Sequence, residues 1–153
     1  MRTAYRALAY IIAAEVAIQA AAVAYGLFGL GKWIDDGGTL DKAVFEDESA
    51  TFTGVVGFAI HGINGTMVIP LLALVLLLLS FFARVPGGAK WAGAIFALVI
   101  IQVLLGTFAH VVPQLGPLHG INALVLFSVA VMAARRVSPS QTEDVSTKTE
   151  MAV

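Results

Sequence analysis

The chain has 153 residues, of which 59% are hydrophobic and only 12% charged, and its mean hydropathy is +0.89. This composition lies beyond that of a soluble domain and predicts an integral membrane protein whose first partner is the lipid bilayer. The net charge of -1 argues against a nucleic-acid partner. Because the chain has no cysteine, disulfides, iron–sulfur clusters and thiolate-bound or covalently attached haem are excluded.

Four hydrophobic segments, roughly residues 7–30, 58–83, 91–112 and 118–134, have the length of about 20 residues that a membrane-spanning helix needs. The links between the last three segments are short, which predicts that neighbouring helices are antiparallel. The predicted fold is all-α: an integral membrane four-helix bundle of up-down-up-down order, formed by residues 1–136. Residues 137–153 are rich in Ser, Thr, Glu and Asp, and are predicted to be a disordered cytoplasmic tail.

The first segment follows Arg2 and Arg6, and small residues at 20–24 raise the alternative of a cleaved signal peptide. Its apolar run continues to Leu30, beyond the usual length of a signal sequence. The sequence therefore favours an uncleaved helix.

The charges at the helix ends predict the orientation in the membrane. Six basic residues flank one side, and the opposite loop around residues 35–48 is acidic, with only two lysines in or beside it. By the positive-inside rule, the chain is predicted to be a multi-pass protein of the plasma membrane with both termini in the cytoplasm. The six basic residues are Arg2, Arg6, Arg84, Lys90, Arg135 and Arg136.

The tetrapeptide His-Gly-Ile-Asn occurs twice, at residues 61–64 and 119–122, each time near the start of a hydrophobic segment. The third histidine, His110, lies near the end of the third segment. In the predicted topology all three imidazoles lie at one level on the extracytoplasmic side. A histidine at this depth is normally paired, ligated or beside a wet cavity; the alternative is that each is an ordinary interfacial residue.

Two imidazoles on facing helices are typical axial ligands of haem iron, which binds one from each side of the porphyrin. His61 and His119 are therefore predicted to ligate a haem b. A zinc or copper site formed by His61, His110 and His119 is an alternative, since three imidazoles match a catalytic zinc ligand set. The apolar surroundings and the lack of locally spaced ligands favour haem.

The residues after each histidine are further candidates for the cofactor site. Gly62 and Gly120 leave room beside the ligand, or alternatively allow close helix packing. Asn64 and Asn122 return to the face of the histidine and are expected to hydrogen-bond a neighbouring helix or a group around the cofactor. His110 is expected to contact a haem propionate or an outer group, with an interfacial role as the alternative.

Other polar residues lie at membrane depth. Gln19, Ala22 and Gly26 share a face of the first helix with Glu15, and Gln102, Gly106 and His110 share a face of the third. Both faces are predicted to point inward. Glu15 is interpreted either as a proton relay or quinone-site acid, or as a protonated group bonded to another helix. Pro70 is predicted to kink the second helix and widen the pocket.

Several of these residues also carry a resemblance to known proteins. The chain resembles a family of small uncharacterised four-helix membrane proteins common in actinobacteria, and its layout is similar to one half of haem A synthase. The second resemblance implies that His61 and His119 are axial haem ligands. Only one half is present, however, and the nearest acid before His61 is Glu48, so haem A synthesis is not implied. The residues that carry the resemblance are Gln19, Gly26-Leu27-Phe28, His61, Gly65, Gln102, residues 118–124 and Ala134-Arg135-Arg136.

The sequence thus favours a haem b protein that exchanges electrons with a quinone or a membrane redox protein at the extracytoplasmic face. An alternative from a different functional class is a non-enzymatic accessory subunit whose histidines pack at a protein interface. No phosphate-binding loop, paired acidic motif or activated nucleophile is present.

Overall fold

The computed structural model describes residues 1–42 and 51–137, and within these ranges it contains helices and no strand. The predictions of an all-α fold and of four long apolar helices are confirmed, since each helix is long and apolar enough to cross a membrane. The part of the tail from 138 to 153 and the loop residues 43–50 lie outside the described residues. The helices are α1 (Arg2–Asp35), α2 (Val56–Ser80), α3 (Gly88–Ala109) and α4 (Leu115–Arg135).

The helix ends differ from the hydrophobic segments because polar residues also continue a helix. α1 extends five residues beyond the predicted segment at each end, and near its C-terminus Lys32 forms an ion pair of 2.8 Å with Asp36. α4 begins at Leu115, so that Pro117 lies in its first turn, where a missing N–H group breaks no hydrogen bond.

The four helices form a ring. Each helix packs against its neighbours in chain order, and α4 returns to pack against α1. α2 and α4 therefore lie diagonally opposite each other. In the contacts between α1 and α2, earlier residues of one helix meet later residues of the other. The same holds for α3 and α4.

The tightly packed half of the bundle is the end with the basic residues, which we call the arginine end. Tyr5, Ile12, Leu76 and Ile95 are fully buried there. The Tyr5 hydroxyl donates to the Gly88 carbonyl at 3.0 Å, which ties the start of α1 to the start of α3. Val137, the first residue of the predicted tail, is buried in this core.

At the opposite end, which we call the histidine end, α1 and α2 approach each other through glycines. A Cβ atom on Gly57 would collide with the Ala22 carbonyl, and one on Gly26 would lie 2.9 Å from the Phe58 ring. Gly57 is needed because the two backbones are close there, and Gly26 makes room for the Phe58 ring.

α2 is interrupted by a π-helical turn at Asn64–Val68, which begins three residues after His61 and ends two residues before Pro70. The Ile69 N–H group donates to the Asn64 carbonyl, five residues back. Proline has no N–H group to continue the regular pattern, and π turns often accompany functional sites. The kink predicted at Pro70 stays a prediction, and the structure shows a π turn that ends two residues before it.

Candidate functional site

The three histidines of the chain border one cavity of about 780 Å³ at the histidine end. His61 lies on α2, His119 in the second turn of α4, and His110 is the residue after α3. The ring centroids of His61 and His119 are 6.1 Å apart, and their planes make an angle of 62°. The diagonal helices α2 and α4 therefore bring the two repeated histidines together, with His110 further along the same wall.

The wall of this cavity is largely apolar and comes from all four helices. Ile69, Val99 and Leu126 belong both to the buried core and to the cavity wall, so the packed arginine half forms its floor. The polar side chains in the wall belong to the three histidines, two glutamines and two threonines. Cofactor pockets commonly have this composition and volumes of about 300–1,000 Å³.

Gly62 and Gly120 lie on the cavity wall, and a Cβ atom added to either would meet nothing within 4 Å. Close helix packing is therefore not the reason for glycine at these two positions. In contrast, a Cβ atom on Gly106 of α3 would lie 3.0 Å from Cε1 of His119. Glycine allows the His119 ring to lie against α3, while Gly62 and Gly120 leave free space beside the histidines.

His119 is oriented by the helix before it. Its Nδ1 lies 3.0 Å from the backbone carbonyl oxygen of Gln102. A carbonyl oxygen only accepts, so Nδ1 carries the proton and donates, and Nε2 keeps its lone pair. Histidines that ligate metals usually have this second hydrogen bond.

The two asparagines of the repeated motif link neighbouring helices. Asn122 donates to the side-chain oxygen of Gln102 at 2.6 Å and to the Leu98 carbonyl at 3.0 Å. Asn64 donates to a carboxylate oxygen of Glu15 at 2.7 Å. The interhelical role predicted for both is confirmed, and neither residue is part of the cavity wall.

The Gln19 side chain, which is only 8% exposed, is inserted at the start of the π turn. Its amide oxygen accepts from the Gly65 N–H group at 2.8 Å, and its nitrogen donates to the His61 carbonyl at 3.1 Å. This orientation of the amide is fixed by its partners, because a backbone N–H only donates and a carbonyl only accepts. In a regular α-helix those two backbone groups would bond each other.

His61 meets Gln19 in two ways. Its Nδ1 lies 2.7 Å from the amide nitrogen of the Gln19 side chain and 3.3 Å from the backbone carbonyl oxygen of the same residue. Each repeated histidine thus contacts the carbonyl of a glutamine on the preceding helix, but only His61 also meets a side-chain amide at its ring.

Of the two faces predicted to point inward, the α1 face is confirmed for Gln19, Ala22 and Gly26, which are buried, and Glu15 is partly buried. On the α3 face, Gln102 and Gly106 are partly buried, whereas His110 is exposed. The role of the two glutamines as partners of the histidines was not predicted. The available signal was their position, one on each helix that precedes a copy of the repeated motif.

Within the ranges 1–42 and 51–137, no group of three or more His, Cys, Asp or Glu side chains is arranged to hold a metal ion. His61, His110 and His119 share a cavity without forming such a cluster. The described histidines therefore offer a pair of imidazoles with a third beside it.

The chain was compared with family models, curated proteins and solved structures. The model of DUF6220, a family of unknown function, matches residues 49–110, which is less than half of the chain. This segment includes α2 and α3, with His61, Gln102 and His110, but not His119. No curated protein matches, and no solved structure matches. The chain is thus similar over α2 and α3 to a family whose description names no activity.

Proposed function

We propose that the bundle binds one haem b, with His61 and His119 as its axial ligands, and transfers electrons at the extracytoplasmic face of the plasma membrane. The observation that carries this proposal is the pair of imidazoles 6.1 Å apart beside the cavity. A metal–imidazole bond is about 2 Å long, so two imidazoles on opposite sides of one metal atom have centroids roughly 6 Å apart.

Further features of the cavity fit a porphyrin. The wall is apolar, the floor is closed by core residues, and Gly62 and Gly120 leave free space next to the ligands. Nε2 of His119 is available as a ligand because Nδ1 is held by the Gln102 carbonyl. A haem with two imidazole ligands supplies one-electron transfer, and the chain holds and orients it.

The proposal includes the topology. The helices cross in up-down-up-down order, both termini face the cytoplasm, and the cavity opens near the other face. Support comes from the basic residues at the arginine end and from the reversed order of contacts between α1 and α2. Electrons then exchange with a quinone or a membrane redox protein.

The test is the absorption spectrum of the protein purified in detergent from haem-replete cells. We expect about one b-type haem per chain and the sharp reduced bands of low-spin, six-coordinate iron. His61→Ala and His119→Ala should each abolish the low-spin signal, because six-coordination needs both nitrogens. His110→Ala, the matched control on the same wall, should retain it with a shifted potential.

Three outcomes contradict the proposal. A colourless protein with stoichiometric zinc or copper would assign the histidines to a metal ion. A protein with neither haem nor metal would favour an accessory subunit. Loss of low-spin haem in His110→Ala, with retention in either of the other variants, would assign the ligands differently.

A further inference from the structure

The two repeated histidines are held differently, and the difference lies in Gln19. The Gln102 side chain accepts a hydrogen bond from Asn122, and only the Gln102 backbone carbonyl bonds the His119 ring. The Gln19 side chain instead has its amide nitrogen 2.7 Å from Nδ1 of His61. An amide N–H only donates, and its 2.7 Å contact is shorter than the 3.3 Å from Nδ1 to the Gln19 backbone carbonyl oxygen. The shorter contact assigns Nδ1 of His61 as the acceptor, which puts the single proton of the neutral ring on Nε2.

A protonated Nε2 has no lone pair with which to bind a metal. To ligate, His61 must move its proton from Nε2 to Nδ1, with no net gain or loss of protons, and donate to the Gln19 carbonyl oxygen, which is 3.3 Å away. The Gln19 amide must then turn away from the ring. This movement gives up hydrogen bonds to the Gly65 N–H group or the His61 carbonyl. His119 needs no such change.

We infer that Gln19 is a positioning residue that makes His61 the exchangeable axial ligand and His119 the permanent one, so that a small neutral diatomic ligand such as carbon monoxide can replace His61. This inference rests on the proposed haem site. A Cβ atom built on Gly62 meets nothing within 4 Å, and a π turn follows at Asn64–Val68. This part of α2 would therefore allow the His61 side chain to move.

The first experiment needs no haem. In the haem-free protein with ¹⁵N-labelled histidine, NMR correlations between ring nitrogens and ring protons identify the tautomer of each of the three histidines. We expect the Nε2–H form for His61 and the Nδ1–H form for His119. Gln19→Leu should convert His61 to the Nδ1–H form, and the matched variant Gln102→Leu should leave His119 unchanged.

The second experiment uses the haem-loaded protein, reduced and titrated with carbon monoxide. We expect the wild type to bind carbon monoxide, with loss of the absorption bands of the bis-histidine form. Gln19→Leu should bind it about tenfold more weakly, since residues that hydrogen-bond a metal ligand commonly change affinity by this factor. Gln102→Leu should change the carbon monoxide affinity less than Gln19→Leu does, because the bond to the His119 ring comes from the Gln102 backbone. If Gln19→Leu does not fold, Gln19→Glu replaces it, because a carboxylate accepts from Nδ1–H and from the Gly65 N–H group.

The tautomer and the carbon monoxide affinity together distinguish failure of this inference from failure of the proposed haem site. An Nδ1–H tautomer of His61 in the wild type would overturn the inference whether or not haem binds. Equal carbon monoxide affinity in the wild type and Gln19→Leu would also overturn it. Absence of haem alongside the expected tautomers would refute the proposed function but leave the role of Gln19 at the ring intact.

Discussion

At the scale of single residues, the two glycines after the repeated histidines provide space, whereas other glycines provide contact. Gly62 and Gly120 border the cavity with nothing within 4 Å of an added Cβ, while Gly106 lies against the His119 ring. At this one site, glycine therefore provides open space at two positions and close contact at a third. Substitutions can test the two roles separately.

Gly62→Leu is expected to fill the space beside His61 and to lower the haem content to a small fraction of the wild-type value. The helix itself should be unharmed, because leucine is a better helix former than glycine by up to about 1 kcal/mol. The measurement is the ratio of haem absorbance to protein after purification. Gly93→Leu is the matched control, since it also has open space around it and lies outside the cavity wall. Equal haem loading in the two variants would show that the space at Gly62 is not used.

The candidate residues were only partly predictable from the sequence. The repeated motif predicted His61 and His119 as a pair, and helical spacing predicted that Asn64 and Asn122 would bond other helices. The contacts of Gln19 were not predictable, because they depend on the exact rotation of α2 against α1 and on the π turn. Spacing along one helix does not determine either.

At the scale of the helices, the α1–α2 contact depends on the absence of side chains. Gly57→Val is expected to force α2 away from the Ala22 carbonyl and to cost about 1–3 kcal/mol, as overpacking does in a tight interface. Thermal unfolding in detergent should begin several degrees lower than in the wild type. Gly31→Val is the control on α1, where an added side chain meets nothing within 4 Å. A similar unfolding temperature for both variants would contradict the close approach of the backbones.

Hydropathy predicted the number of helices because each needs one apolar run of membrane length. It did not predict their ends, since residues such as Lys32 and Asp36 extend α1 through an ion pair beyond the apolar run. Nor did it predict the π turn. Proline at position 70 indicates that the helical hydrogen bonding is interrupted nearby. It does not show which backbone carbonyl group changes its hydrogen-bond partner.

At the scale of the whole molecule, the proposed orientation makes the histidine end accessible from outside the cell. The chain has no cysteine of its own, so single cysteines report position directly. Thr39→Cys, just beyond α1, should react with a membrane-impermeant thiol reagent in intact cells, whereas Thr3→Cys should react only after lysis. Both threonines are exposed, which makes them a matched pair. Labelling of Thr3→Cys from outside would place the cavity at the cytoplasmic face.

The site is built from two similar halves. α1 with α2, and α3 with α4, are two helical hairpins, each with a glutamine on its first helix and His-Gly-Ile-Asn on its second. A dimer of one such hairpin, related by a two-fold axis through the cavity, would present the same pair of histidines. Identical subunits would, however, give both histidines the same neighbours. Four residues before its glutamine, one hairpin has Glu15 where the other has Leu98, and only Gln19 turns its amide to the ring. Because both hairpins belong to one polypeptide, the two histidines can have different neighbours, as they do here.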